Sequence, residues 1–200
     1  MPHQDSAGCG AVDRCAAERC HTGAVTGRTS DLELSGPDPQ WPAQFEAVRR
    51  DLLAALGPVA MRIEHIGSTA VPDLLAKPTI DILLVVADTT DVLDRLDSLA
   101  SIGFEHRPTA WPDPARHVFL RRVVGDRRTH HLHVVPAGSY EIADYLLLRD
   151  YLRTHPDEVE AYATHKRRLA KEALGGRASY VAAKPAYVQE LLVRARRWSR

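Results

Sequence analysis

The sequence predicts an α+β domain in which a mixed β-sheet is packed with helices and followed by a C-terminal helical layer. Three observations lead there. Apolar, partly β-branched runs alternate with helical patterns up to about residue 138, and from Ser139 onward the pattern is helical only. The length of 200 residues gives room for one core with a helical extension, since domains commonly run about 100–200 residues.

Residues 1–30 hold all three cysteines, Cys9, Cys15 and Cys20, among small and polar residues with almost no large apolar side chains. Burial cannot offset the ordering entropy of such a segment, so it reads as a disordered tail preceding one globular unit over residues 31–200. Within that unit, residues 31–138 read as the sheet core and 139–200 as the helical layer. Cys15, Cys20 and His21 are zinc-ligand types, but their spacing fits no usual CxxC pair. No secretory h-region and no transmembrane run is present, so the expected compartment is the cytoplasm, with reduced cysteines.

From Trp41 the pattern changes. Trp41, Phe45, Val48, Leu52 and Leu56 recur at helical spacing, Pro42 suits a first turn, and Gly57-Pro58 ends the element. A short strand then ends at Ile66. Gly67-Ser68-Thr69 follows, a turn of small side chains whose backbone N–H groups suit an anion. Thr79 to Val86 is the next strand, and Asp81 lies near its start where a buried strand would carry a hydrophobe. That carboxylate calls for a partner.

Thr89-Thr90 can cap a helix carrying Val92, Leu93, Leu96 and Leu99, closed by Gly103. Phe104-His106, His117 to Val124 and His130 to Val135 read as strands, separated by the Pro108 to Pro114 loop and the Gly125-Asp126 turn. The product is a mixed sheet with helices against one face. His131 and His133 are two apart on a strand and share a face, while His130 points the other way.

Ser139 to Arg153 is a helix whose apolar stripe, Ile142, Tyr145, Leu146 and Leu152, also takes in Arg149. A guanidinium facing inward is costly unless paired. Two readings stand: it snorkels or pairs with Asp150 or another structural acid, or it grips a phosphate or carboxylate in the cleft. Pro156 to Leu174 is a second helix with Val159, Tyr162 and Leu169 inward and Lys166, Arg167 and Arg168 outward, ended by Gly175-Gly176. A last helix from about Pro185 to Arg197 places Lys184 at its N-terminus, beside N–H groups that favour anions.

Lysine plus arginine and aspartate plus glutamate both number 26, so the chain carries no global signal for nucleic acid or an anionic membrane. His165 to Arg200 holds ten lysines and arginines against Glu172 and Glu190, either a solvated face or a phosphate-attracting end. Arg116 to Arg122 and Arg127-Arg128 have too little aromatic interleaving to signal RNA or DNA readout. There is no GxxxxGK[ST] run and no Ser-His-Asp or Cys-His signature.

A Gly-Ser turn, a gap of ten or so residues and then Asp on a strand resembles the nucleotidyltransferase superfamily. The strings EHIGSTAVP and AKPTIDI, with HHLHVVP, LRDYLR and Tyr180 to Lys184, resemble the GrpB family of that superfamily over roughly Trp41 to Ala195. The resemblance implies a nucleotidyltransferase-like sheet and transfer of a nucleoside monophosphate from an NTP to an acceptor. It also implies roles: Gly67, Ser68 and Thr69 on the β/γ phosphates, Asp81 with an ion on the α-phosphate, and Lys77, Arg149 and Lys184 neutralising the triphosphate. The partner would be an NTP or another phosphorylated small molecule.

One position departs from the pattern. Active relatives carry a second acid two residues after the aspartate, and here that residue is Leu83, so a standard two-metal site is not written in this chain. The resemblance places His131 and His133 near the third acid. With Asp81 they suit Mn²⁺, Fe²⁺ or Zn²⁺ better than an all-oxygen Mg²⁺ cage. They equally suit hydrogen bonds to Asp81 or Glu64 with no metal, or general-base work on an acceptor hydroxyl. In some bacteria a GrpB-like domain is fused behind dephospho-coenzyme A kinase, so an accessory binding module is the alternative. A different metal-dependent reaction at Asp81, His131 and His133 is a further one.

Overall fold

The computed structural model describes residues 34–111, 113–172 and 177–200, the side chains of 177–184 aside. The segment read as a disordered tail, with its cysteines and the Cys15, Cys20 and His21 set, lies outside the described residues. A five-stranded sheet forms the centre. Its strands are Arg62–Ile66 (β1), Ile80–Val86 (β2), Phe104–His106 (β3), Val118–Val124 (β4) and Arg127–Pro136 (β5), in the order β1-β2-β5-β4-β3. β2 and β5 run parallel and the other neighbours are antiparallel, so the sheet is mixed.

Helix Trp41–Leu56 (α1) lays Trp41, Phe45, Val48, Leu52 and Leu56 on one sheet face, the stripe that the sequence periodicity indicates. They pack on Ile80, Ile82, Leu84, Leu120, Leu132 and Val134, every second residue of the central strands. The expected single helix after β2 is two short ones, Thr90–Leu93 (α2) and Leu96–Ser101 (α3). Thr89 does not cap it. Its hydroxyl donates to the Pro114 carbonyl at 2.8 Å, and Asp88 Oδ1 takes the Thr90 N–H instead, also at 2.8 Å. An aspartate two residues back competes well for a helix-start N–H, which frees the threonine for a long-range bond.

The opposite face is covered by the C-terminal helical layer that the sequence predicts. Helix Tyr140–Thr154 (α4) sets Ile142, Tyr145 and Leu146 over Ile66, Leu83, Val85 and Val135. Helices Pro156–Glu172 (α5) and Arg177–Trp198 (α6) complete the layer, with Tyr151, Leu152, Val159, Tyr162, Ala163, Leu191 and Ala195 in its own core. α6 starts eight residues before Pro185, which stands inside it. Lys184 is therefore within a helix rather than at its N-terminus. The good helix formers around Tyr180 carry the helix through a proline that the sequence reading took for a first turn. Among the described residues no helix is long and apolar enough to cross a membrane.

The layers enclose several imidazoles. Burial pushes the pKa of His65, His117 and His130 down to about 4 each, against opposing attraction from Asp81 at His65 and Glu141 at His117, and with further lowering from Arg122 at His130. The unfolded rings titrate near 6.5. Between those values the unfolded chain binds more protons, so stability is fully present above about pH 6.5 and is lost as pH falls toward 4. Urea denaturation midpoints should be flat from pH 8 to 7 and fall steadily from pH 6.5 to 4.5. Replacing His117 with Gln should flatten that slope.

Candidate functional site

The site grows from the register of β2. Asp81 faces Ile66 of β1 on one side and His131 of β5 on the other, and directly paired residues share a face. The His131 Nδ1 lies 3.0 Å from Asp81 Oδ1, and since a carboxylate only accepts, Nδ1 carries the proton. Both side chains keep about a quarter of their surface exposed. Asp81 and His131 thus form a carboxylate–imidazole pair at the sheet surface.

Gly67 closes one side of this pair. A Cβ added there would press on Asp81 Oδ2 and sit 2.9 Å from Asp81 Cβ, and its φ of +71° is a left-handed conformation that side chains resist. Only glycine lets the turn come this close to the carboxylate. The turn's own hydrogen bonds run from the Ala70 and Val71 N–H groups back to the Gly67 and Ser68 carbonyls. The Thr69 hydroxyl is committed: it donates to the Thr79 carbonyl at 3.3 Å and so accepts from His65 Nε2 at 3.0 Å.

Ser68 has a partner that the sequence reading placed in solvent. Lys166 of α5 is 2% exposed, and its Nζ donates to Ser68 Oγ at 2.7 Å and to the Leu75 carbonyl at 2.8 Å. The ammonium also sits 4.2 Å from the Tyr162 ring centroid. The signal is in the sequence: Lys166 follows Tyr162 by four and precedes Leu169 by three, on the apolar stripe, although Arg167 and Arg168 beside it make the run look outward.

Arg149 takes the first of its two readings. Its Nη1 donates to Glu64 Oε2 at 2.7 Å and to the His65 carbonyl at 3.2 Å, while Nε and Nη2 fork onto Asp150. Burial works against its charge, yet the Asp150 and Glu64 bonds outweigh it and the pKa rises. The mirror effect holds at Glu64, where burial raises the carboxyl but Arg149 and Arg62 win and hold it low. A phosphate would have to displace two carboxylates from Arg149. Lys77 is half-buried in the loop before β2, its carbonyl accepting from Thr79 N–H at 2.7 Å, and the Lys184 side chain lies outside the described residues.

The three groups expected to meet one ion do not converge. His131 is on Asp81, whereas His133 Nδ1 lies 3.1 Å from His117 Nε2, beneath the stacked Trp111. Among the described residues no group of three His, Cys, Asp or Glu side chains is arranged to hold a metal ion. Leu83, where a second acid would stand, is fully buried under α4. Its partner across the ladder is Glu64, which Arg149 already holds. The set Asp81, His131 and His133 does not fit a three-ligand metal centre.

The family model of the GrpB protein matches residues 31–194. An UPF0157 protein of Pseudomonas aeruginosa is 38% identical over 169 residues, covering 82% of this chain and 67% of that protein. A dephospho-CoA kinase of Mycobacterium tuberculosis is 32% identical over 188 residues, covering 81% of this chain but 45% of the kinase, so the match spans less than half of that protein. Among solved structures, the conserved protein GrpB from Enterococcus faecalis superposes with TM-score 0.76 at 30% identity, covering 84% of this chain and all of that one. The Cid1 poly(U) polymerase, in a MgGTP-bound crystal, gives TM-score 0.50 at 18% identity over 71% of this chain and 46% of that one. This last likeness bears on the fold alone, which is nucleotidyltransferase-like.

Two substitutions test the geometry. Gly67→Ala should lower the unfolding free energy by about 1–3 kcal/mol, from left-handed strain and the clash with Asp81. Leu83→Asp, which would restore the missing acid, buries a carboxylate under α4. It should cost about 3 kcal/mol or more at pH 7 and recover in part at pH 4, as read by chemical denaturation.

Proposed function

The chain belongs to the GrpB family, and on that premise we propose that it binds the phosphate chain of a nucleoside triphosphate, or of another phosphorylated small molecule, at the Gly67–Ser68 turn. The observation that carries this reading is the Lys166 ammonium, brought through the interior onto Ser68 Oγ. A cation held there makes the turn electropositive in surroundings that screen it poorly, which favours an incoming anion. The Ser68 and Thr69 N–H groups supply directed donors beside it. Lys77 and Lys184 are the other lysines of the reading, whereas Arg149 shapes the turn from beneath.

A second reading is favoured by the Asp81–His131 pair. With Nδ1 fixed on the carboxylate, Nε2 of His131 is the basic nitrogen, the arrangement by which a carboxylate orients an imidazole for proton abstraction. His131 would take the proton of an acceptor hydroxyl attacking the α-phosphate, and pyrophosphate would leave. That is nucleoside monophosphate transfer with Asp81 and His131 in positioning and base roles. Against it stands Leu83, which removes the second carboxylate of the two-metal scheme. The match to a dephospho-CoA kinase fits the binding reading, with the domain as an accessory unit.

Calorimetric titration of the full chain with ATP, GTP, CTP, UTP and inorganic tripolyphosphate, each with Mg²⁺, tests the reading. At least one should bind, and Ser68→Ala and Lys166→Met should each weaken it about ten- to a hundredfold, as expected for loss of a charge-assisted hydrogen bond. No heat with any of the five, from a protein that melts cooperatively, would overturn it. Transfer would appear as pyrophosphate release, abolished in His131→Gln with nucleotide binding kept.

A further inference from the structure

The sheet register places more than the site on one face. Reading across the strands, Glu105, Arg121, His131, Asp81 and Ile66 are successive partners, and so form one row on the α4 side. The adjacent row is Phe119, His133, Leu83 and Glu64. Strands lie about 4.8 Å apart, so Arg121 stands about 10 Å from Asp81 along the row. α4 covers Leu83 and its neighbours but stops short of Phe119 and Arg121, which remain half-buried.

Phe119 is out of place by the alternation of its strand. Val118 and Leu120 are buried in the opposite core, and the α4-side positions on either side are polar His117 and Arg121. Half-buried, it joins a cluster of rings on that face rather than either apolar core. Its ring lies 5.3 Å from that of His131 and 5.1 Å from that of His133, with Trp111 at 5.5 Å. Just beyond, Arg121 Nε and Nη2 both donate to Glu105 Oε2 at 3.2 Å, a pair that offers donors and acceptors at the rim.

The geometry points to a base-recognition patch: the ring of Phe119, backed by His131 and His133, stacks on the planar base of a nucleotide whose phosphates lie at the Gly67–Ser68 turn, and the Arg121–Glu105 pair meets the edge of that base. The inference rests on the phosphate-binding reading above and names its ligand class as a nucleotide rather than a phosphorylated sugar or bare polyphosphate. Phe119 is then a specificity-determining residue.

The test compares each nucleotide with inorganic tripolyphosphate, both with Mg²⁺, on the full chain and on Phe119→Leu and Phe119→Tyr. Leucine keeps apolar volume without the ring and tyrosine keeps the ring, so folding and stacking separate, with melting curves as the check. The expected result is a nucleotide preference of about tenfold or more over tripolyphosphate, lost in Phe119→Leu, kept in Phe119→Tyr, with tripolyphosphate affinity unchanged throughout. Equal binding of nucleotides and tripolyphosphate, or an undiminished preference in Phe119→Leu, would overturn the patch and leave the phosphate site standing. Binding of neither would overturn both.

Discussion

A lysine ammonium inside the protein is the constraint around which the turn after β1 is built. Removing such a charge from water costs several kcal/mol, and it persists only where fixed dipoles replace the lost hydration. At Lys166 those are the Ser68 hydroxyl, the Leu75 carbonyl and the face of Tyr162. Arg149 adds a bond to the His65 carbonyl and Arg153 one to the Ala70 carbonyl at 2.9 Å. Three cations from α4 and α5 thus hold oxygens between residues 65 and 75. The short loop is shaped from below by the helical layer as much as by its own glycine.

The same layer explains the departure from two-metal chemistry. In a nucleotidyltransferase-like sheet the strand after the turn would present two carboxylates on one face. Here α4 seats Ile142, Tyr145 and Leu146 on that face, and a leucine at position 83 is what such packing requires. The carboxylate across the ladder, Glu64, neutralises Arg149 and is held by it. Asp81 is left with an imidazole for a neighbour. The frame is nucleotidyltransferase-like, and on it Asp81 pairs with His131 while Leu83 is packed under α4.

Much of this was legible in the chain. The stripe from Trp41 to Leu56, the strand with Asp81, the shared face of His131 and His133 and the inward turn of Arg149 all follow from local periodicity. What failed depended on pairing over long separations. Glu64 meets Arg149 across 85 residues and Lys166 meets Ser68 across 98, and no local pattern encodes either. His133 shares a face with His131, yet His117, the residue just before the neighbouring strand, is the one that meets it. Lys166 was misread for a different reason: a run of three cations hid that its first member sat on the buried stripe. Proline suits a first turn and so points to a helix start at Pro185, although the helix runs through it from Arg177.

The fastening of the turn by α4 and α5 has a mechanical side. Main-chain oxygens at 65, 70 and 75 receive donors from side chains rooted in two helices, so swinging those helices off the sheet would break these three bonds together. A change in the seating of α5 would therefore be felt at Ser68, which Lys166 ties to it.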